Sequence, residues 1–367
     1  MIVSARAMAA SRIHPRLRAP ACGEPPALDT PLGLMQARTM SPAGESTLDA
    51  ARDDEPVDEA RPSSQLRRYL REESIKLPRD LTRRSVLASV GYLAWAHMWI
   101  GLSLLAALYL PGGVPAILAA GFVLILLAQR SLQTLVHHLS HDLLSRNRQV
   151  NDWIGNLFAA GFIGMRIQNY RRVHFVHHAE NGGASDPEFI DFSAVRARGG
   201  LWRYVLHFVA MGEAFALVRK YYAPRRAGTG AEQKSPLSAR LAGLAIVALC
   251  QASLVAAFWL AGAPYLYLVW LYVSVTWSPM LSRLRFLVEH PGKDDRTVST
   301  RAPWYEVIFF APYQFNYHFE HHVWPALPPY RLRSAHHHVA GKGYFERHPE
   351  YLASSFVGSL AQRAARE

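Results

Sequence analysis

Three short stretches of this chain concentrate imidazoles: Leu135-Val-His-His-Leu-Ser-His-Asp142, His174-Phe-Val-His-His178 and His318-Phe-Glu-His-His322. On a helix, positions i, i+3 and i+4 share a face, with Cβ atoms roughly 5–6 Å apart. His137 then points with His141, His174 with His177 and His178, and His318 with His321 and His322. His138 with His141 is the alternative face of the first stretch. Imidazole suits Fe, Zn, Cu and Ni, so ligand type alone does not name the metal. Ligand number narrows it: a structural zinc takes four ligands and a catalytic one three plus water. Eight convergent imidazoles are too many for one ion and enough for two. A lone histidine is ordinarily a satisfied core or surface residue; three clusters at ligand spacing reverse that expectation. The carboxylate di-iron pattern, Glu with Glu-x-x-His on bundle helices, is absent. Two cysteines, Cys22 and Cys250, form neither a disulfide framework nor a thiolate cluster.

The elements that must position these residues are apolar and long. Val86 to Leu110 carries no formal charge, and after Leu110-Pro-Gly-Gly-Val-Pro115 a second apolar run continues from Ala116 to Ala128 and, after the interruption of Gln129 and Arg130, on through Leu135. A second pair, Leu241 to Leu260 and Tyr265 to Leu281, is joined by Ala261-Gly-Ala-Pro264. A bilayer core of roughly 30 Å needs about 20 apolar residues, so each run qualifies as a span. Basic residues flank the pairs and fill the middle segment, while both turns are uncharged. The positive-inside rule therefore places both termini and all three histidine stretches in the cytoplasm. The expected fold is an all-α integral membrane protein: four transmembrane helices in two hairpins, with a cytoplasmic helical cap holding a histidine-ligated di-metal site. Leu157 to Met165 is too short to span and is expected to be re-entrant or interfacial.

The composition divides the chain further. Residues 1–65, rich in Ala, Pro, Ser, Arg and Asp, lack an apolar period and are expected to be disordered. Residues 66–345 form the membrane domain, and 346–367 a C-terminal tail. The net charge of +12 lies mostly between the spans. With no zinc-finger spacing and no RNP-like motif, it reads as membrane-protein topology and not as nucleic-acid binding.

The pattern H-x-x-x-H, H-x-x-H-H and H-x-x-H-H, interleaved with paired apolar hairpins, resembles the membrane fatty acid desaturase and hydroxylase superfamily over roughly Arg67 to Tyr344. Asn151-Asp-Trp-Ile-Gly-Asn156, Asp186-Pro-Glu-Phe189, Asn316-Tyr-His-Phe-Glu-His-His-Val-Trp-Pro325 and Leu327-Pro-Pro-Tyr-Arg-Leu332 strengthen the likeness. The resemblance implies two iron ions held by His137, His141, His174, His177, His178, His318, His321 and His322. It also implies a further ligand upstream of the third box, for which His290 is the candidate. Asp142, Asp186, Glu289, Asn316 and Glu320 are candidate hydrogen-bond partners that fix imidazole tautomers, as are Glu188 and Arg285.

The implied activity is O2-dependent desaturation of a fatty acyl chain or related lipid. Alternatives within the superfamily are a hydroxylase or ketolase acting on a lipid, a carotenoid or a small metabolite; Asp186-Pro-Glu-Phe189 is compatible with carotenoid-oxygenating members. Electrons would come from a separate ferredoxin, rubredoxin or cytochrome b5, because the chain has no dinucleotide fingerprint and no iron–sulfur cysteine set. No haem or flavin site is expected. His290-Pro-Gly-Lys293 resembles a cytochrome b5 haem loop, but it lies too near the third box for a separate haem domain. No general base or nucleophile is expected beyond the metal centre. Trp95, Trp99, Trp270, Tyr272 and Trp277 are candidates to line a substrate tunnel, and Arg166, Arg171 and Arg172 to bind a headgroup or an acidic donor. The tract His336-His-His338 is a compositional hint of metal binding. The non-enzyme alternative is a metal transporter, which should carry ionisable groups inside its spans; here they hold almost none apart from His97.

Overall fold

The computed structural model describes residues 69, 73 and 75–366, apart from 146, 184, 217–218, 220–236 and 293–295. The expected extension 1–65 lies outside the described residues. Two long helices open the fold, α1 (Val86–Tyr109) and α2 (Gly113–Ser140). Ser85 starts α1, its hydroxyl accepting the Ala88 N–H at 3.3 Å. Gly112 and Gly113 then reverse the chain at φ +106° and +68°, a region that a Cβ disfavours. The 28 residues of α2 run about 42 Å, longer than the roughly 30 Å hydrocarbon layer. The surplus turns at its C-terminal end carry His137 and His138.

Short elements follow: α3 (Arg148–Gly155), a π turn over Asn156–Ala160, a 3-10 turn over Gly161–Ile163, and α4 (Ile167–Glu180) with the second histidine stretch. The segment 157–165 is thus a stack of tight turns that packs against the second hairpin. Gly161 lies so close to it that a Cβ there would meet Cys250 Sγ at 2.6 Å. After α5 (Phe192–Arg196) and α6 (Leu201–Val209) comes the second hairpin, α7 (Leu237–Leu260) with α8 (Tyr265–Val275) and α9 (Trp277–Glu289). The chain ends with α10 (Trp304–Phe310), α11 (His318–Val323), α12 (Pro329–Ala340), α13 (Tyr344–Arg347) and α14 (Phe356–Arg366). Among the described residues, one two-residue parallel pairing, β1 (Ser299–Thr300) with β2 (Leu352–Ala353), interrupts the succession of helices.

Among the described residues, three helices are long and apolar enough to cross a membrane: α1, α2 and, within α7, Arg240–Leu260. The fourth expected span is not one helix. It breaks at Thr276, at φ −122° and ψ −85°, into α8 and α9. Pro279 is the physical cause: it brings no N–H, and its ring would collide with the Val275 carbonyl four residues back. The ladder skips that carbonyl, with Thr276 N donating to Tyr272 O and Met280 N to Thr276 O.

The expected tail is built into the fold. Leu352 and Ala353 pair with β1, and Phe356 and Leu360 of α14 are buried in the main core. Glu306 anchors α14 by accepting the Phe356 N–H at 2.6 Å and the Ser355 hydroxyl at 2.7 Å. The middle of that core is α2, buried from Ile125 almost continuously to Ser140. Arg130, 1% exposed, ties α2 to its neighbours. Its guanidinium donates to the Phe309 and Phe310 carbonyls at the end of α10, to the Ser278 carbonyl and the Ser282 hydroxyl of α9, and to Gln133. A smaller cluster of Tyr69, Phe319, Val323, Val339 and Tyr344 holds α11 from its other side.

Candidate metal centre

Nine imidazoles meet where α2, α4, α9 and α11 converge. His137 comes from the last turn of α2 and His141 from its C-cap. His174, His177 and His178 come from α4, His290 caps α9, and His318, His321 and His322 lie on α11. Apart from His141, each is at most 3% exposed. They sort into two groups, His137, His141, His174, His178 and His321, and His177, His290, His318 and His322; within each, the ligand atoms lie within 4.8 Å of one another. In the first group Nε2 faces Nε2 at 2.8 Å for His137 and His321, 3.0 Å for His174 and His141, and 2.9 Å for His178 and His174. In the second, the Nε2 atoms of His290 and His318 are 3.1 Å apart. The groups adjoin, with the His178 ring stacked on His322 at 4.4 Å between centroids.

This donor set fits two metal ions. Nitrogen lone pairs turned towards a common point repel unless a cation or a proton sits between them. Imidazolium is disfavoured there, because burial first, and then the neighbouring imidazoles, hold His141, His178, His290, His318, His321 and His322 well below the usual imidazole range. Burial also lowers His174, against the opposing pull of Glu188. Neutral imidazole is the ligating form.

Two of the tautomers, those of His177 and His174, are fixed by carboxylates from outside the groups. His177 Nδ1 donates to Asp186 Oδ2 at 2.8 Å, and Asp186 is held by the N–H groups of Gly182 and Glu188. His174 Nδ1 lies 3.1 Å from Glu188 Oε2. Glu289 does not act in this way: its carboxylate lies 3.5 Å from His318 Nε2, the nitrogen turned towards His290, and 3.2 Å from Arg285 Nε. The remaining three expected partners sit elsewhere. Asp142 pairs with Arg171 at 2.9 Å, the Asn316 amide donates to Thr300 O at 2.8 Å, and Glu320 binds Ser299 and, at 2.6 Å, His336 Nδ1. A residue next to a ligand on a helix points about 100° away from it, so Glu320 turns from the metals towards α12. The tract His336-His-His338 splits accordingly: His336 is buried on Glu320, while His337 meets Arg333 and His338 meets Lys76 O, both exposed pairs.

Other residues build the site without an evident sequence signal. Tyr170 hydroxyl lies 3.0 Å from His137 Nδ1; its place one turn before His174 on the same helix was the available clue. Arg171 does not reach out to a headgroup, because its donors are used internally. It binds the Ser140 and Leu139 carbonyls that end α2, together with Asp142 and Asp152, and so clamps the first histidine stretch to the second. His138 is buried but belongs to neither group, packing edge-on to Phe315.

A cavity of about 710 Å³ shares His137, His174, His177 and His318 with the two groups and continues along α2 and α8. Of the five aromatic residues expected to line it, Tyr272 does. Trp270 is buried with its Nε1 donating to Phe162 O, Trp95 and Trp99 pair with each other, and Trp277 packs on Phe122.

Residues 112–352 match the model of the family described as "Fatty acid desaturase". The chain belongs to that family. It is an oxidoreductase family, and membership accounts for the buried histidine clusters and the membrane-type helices. This desaturase-family protein is also similar to "Beta-carotene 4-ketolase 3" of Haematococcus lacustris, 25% identical over 240 residues. That alignment takes in 60% of the present chain and 63% of the relative.

Proposed function

We propose that this desaturase-family protein is a multi-pass membrane enzyme holding two iron ions and oxidising an unactivated C–H bond of a lipid with O2. The observation that carries the reading is the pair of buried imidazole groups opening onto one cavity between membrane-type helices. His137, His141, His174, His178 and His321 would hold one iron, and His177, His290, His318 and His322 the other. Bound iron supplies the O2-activating redox chemistry that no side chain provides. The chain's own residues then do the rest. Asp186 and Glu188 hold His177 and His174 with Nε2 free to ligate. Arg171 fixes the end of α2 that carries the first ligands, and Arg130 ties α2 to the end of α10 and the first turns of α9. The cavity holds the substrate beside the histidines and limits water there, which raises the effective concentration of the reacting carbon. Electrons come from a separate small redox protein. The broken pair α8–α9 makes the fourth crossing, with the metal centre and both termini on the cytoplasmic side.

Desaturation of an acyl chain is the first reading. Oxygenation of a carotenoid is the second, favoured by the similarity to a protein named as a β-carotene ketolase. Expression in a bacterial host, with and without carotenoid supply, tests both by mass spectrometry of lipid extracts against a His321→Ala control. Loss of two hydrogens from an acyl chain supports the first, and gain of oxygen on a carotenoid the second. Identical extracts from the wild type and the control, with iron content also identical, would overturn the proposal.

A further inference from the structure

The cavity has an apolar mouth. Among the described residues that line it, three are exposed on the outer surface: Met211 at 51%, Leu268 at 67% and Leu271 at 43%. The charged lining residues Arg130, Glu188, Arg283 and Arg285 are not exposed. Leu268 and Leu271 stand three residues apart on α8 and therefore share a face. No residue of α8 carries a charge. Next to this rim lies α6, tied to α8 by the Tyr272 hydroxyl donating to Val209 O at 3.0 Å. Its exposed face bears Trp202 at 71% and Leu206 at 45%, one turn apart, with the exposed Arg203 beside them as a basic group for the membrane interface, and is continuous in sequence with Met211. A mouth facing water would place polar groups on its rim, since a contiguous exposed apolar patch marks contact with something apolar. Here the rim is apolar and continues onto the lipid-type surface of a membrane hairpin.

We infer that the cavity opens sideways into the bilayer between α8 and the chain at Met211, and that the substrate enters as a membrane-dissolved lipid. An acyl chain tethered to a soluble carrier would need an aqueous mouth near the histidines, where the structure instead buries Arg130 and leaves Glu188, Arg283 and Arg285 no more than half-buried, none of them on the exposed rim. The inference rests on the proposed C–H oxidation for its substrate, while the portal itself is a property of the fold. A molecule reaching the mouth from lipid passes Leu268 and Leu271, meets Tyr272 and Ser274, and arrives at Gln133, Thr134 and the histidines. Apolar length is thereby accommodated at the outer end and polar contact at the inner end.

The test uses the full chain in phosphatidylcholine nanodiscs, with Leu271→Cys in a Cys22→Ser, Cys250→Ser background and Leu268→Cys as the second site. Each is reacted with a pyrenyl maleimide, which partitions into lipid, and with a sulfonated maleimide, which does not. Placing a charge at hydrocarbon depth is costly enough to predict labelling about a hundredfold faster by the apolar reagent. Equal rates, or faster reaction with the charged reagent at either site, would overturn the portal. The labelling needs no turnover, so it fails or succeeds independently of the proposed chemistry. Narrowing the mouth supplies the functional arm. Leu271→Trp is expected to lower product formation at least about tenfold with iron content unchanged, because the opening and not the metal centre is altered. Leu108→Trp, at an exposed position of α1 (53%), is expected to leave product formation unchanged. Full activity of Leu271→Trp would count against entry by this route.

Discussion

Asp186→Asn is the most discriminating single substitution at the metal centre. In the native protein every contact made by this carboxylate is to a donor: Oδ2 accepts from His177 Nδ1 at 2.8 Å and from Gly182 N at 3.1 Å, and Oδ1 accepts from Glu188 N at 2.8 Å. An amide in the same place must turn its NH2 towards one side or the other. Facing His177, it would oppose the Nδ1 proton and favour the tautomer protonated on Nε2, which removes a ligand lone pair. Facing Glu188, it would leave that N–H unpaired and loosen the loop that positions the side chain. Partners of this kind are worth about 10- to 100-fold in metal affinity, or about 1.4–2.8 kcal/mol. Only the group of His177, His290, His318 and His322 uses His177, so the loss should be unequal. Stepwise chelator competition, followed by elemental analysis, should show one iron leaving the variant earlier while the other keeps its native affinity. Two irons held with unchanged affinity in a folded variant would refute the tautomer argument, and equal loss of both would refute the partition into two groups.

Arg171→Ala removes the clamp between the first two histidine stretches and leaves Asp142, Asp152 and two carbonyls without their partner. Breaking a buried pair of this sort costs about 3–5 kcal/mol, and an unchanged thermal midpoint in nanodiscs would defeat the assignment. Glu306→Ala should free the C-terminal helix at a cost of about 1–2 kcal/mol; hydrogen exchange over residues 356–366 should rise, and full protection there would count against the anchor. Acid should destabilise the chelated protein. The folded state depresses its histidines below their usual 6.5, so unfolded chains bind more protons in the window below that value and stability rises with pH through it. Stability is thus complete above about pH 6.5 and falls as the pH drops below it; a flat profile between about pH 7 and 5 would contradict the neutral-imidazole reading.

Much of this was legible in one dimension. Apolar runs without charge identify the long helices because a bilayer-length helix has no other common use for them. Histidine spacing of three and four identifies ligand faces because α-helical geometry is local. The fourth span reads as one helix in sequence because it carries no charge, whereas Pro279 breaks it through the carbonyl of Val275 in the preceding turn. The role of Arg130 was equally hidden. It looked like an interruption of an apolar run, whereas it satisfies carbonyls contributed about 180 residues later in the chain. Glu320 and Asp186 looked alike as carboxylates near a box, and only the neighbouring elements decide that one meets His336 and the other His177.

The sequence by itself determined which residues can ligate and that they belong to helices beside apolar hairpins, since both follow from spacing along the chain. Only the tertiary structure decided how nine imidazoles divide into two groups. Each residue on a helix is turned about 100° from the next, so His177 and His178, or His321 and His322, point to different centres. Which centre each one joins depends on what α2, α9 and α11 bring to the other side, and that is set by packing between segments far apart in the chain.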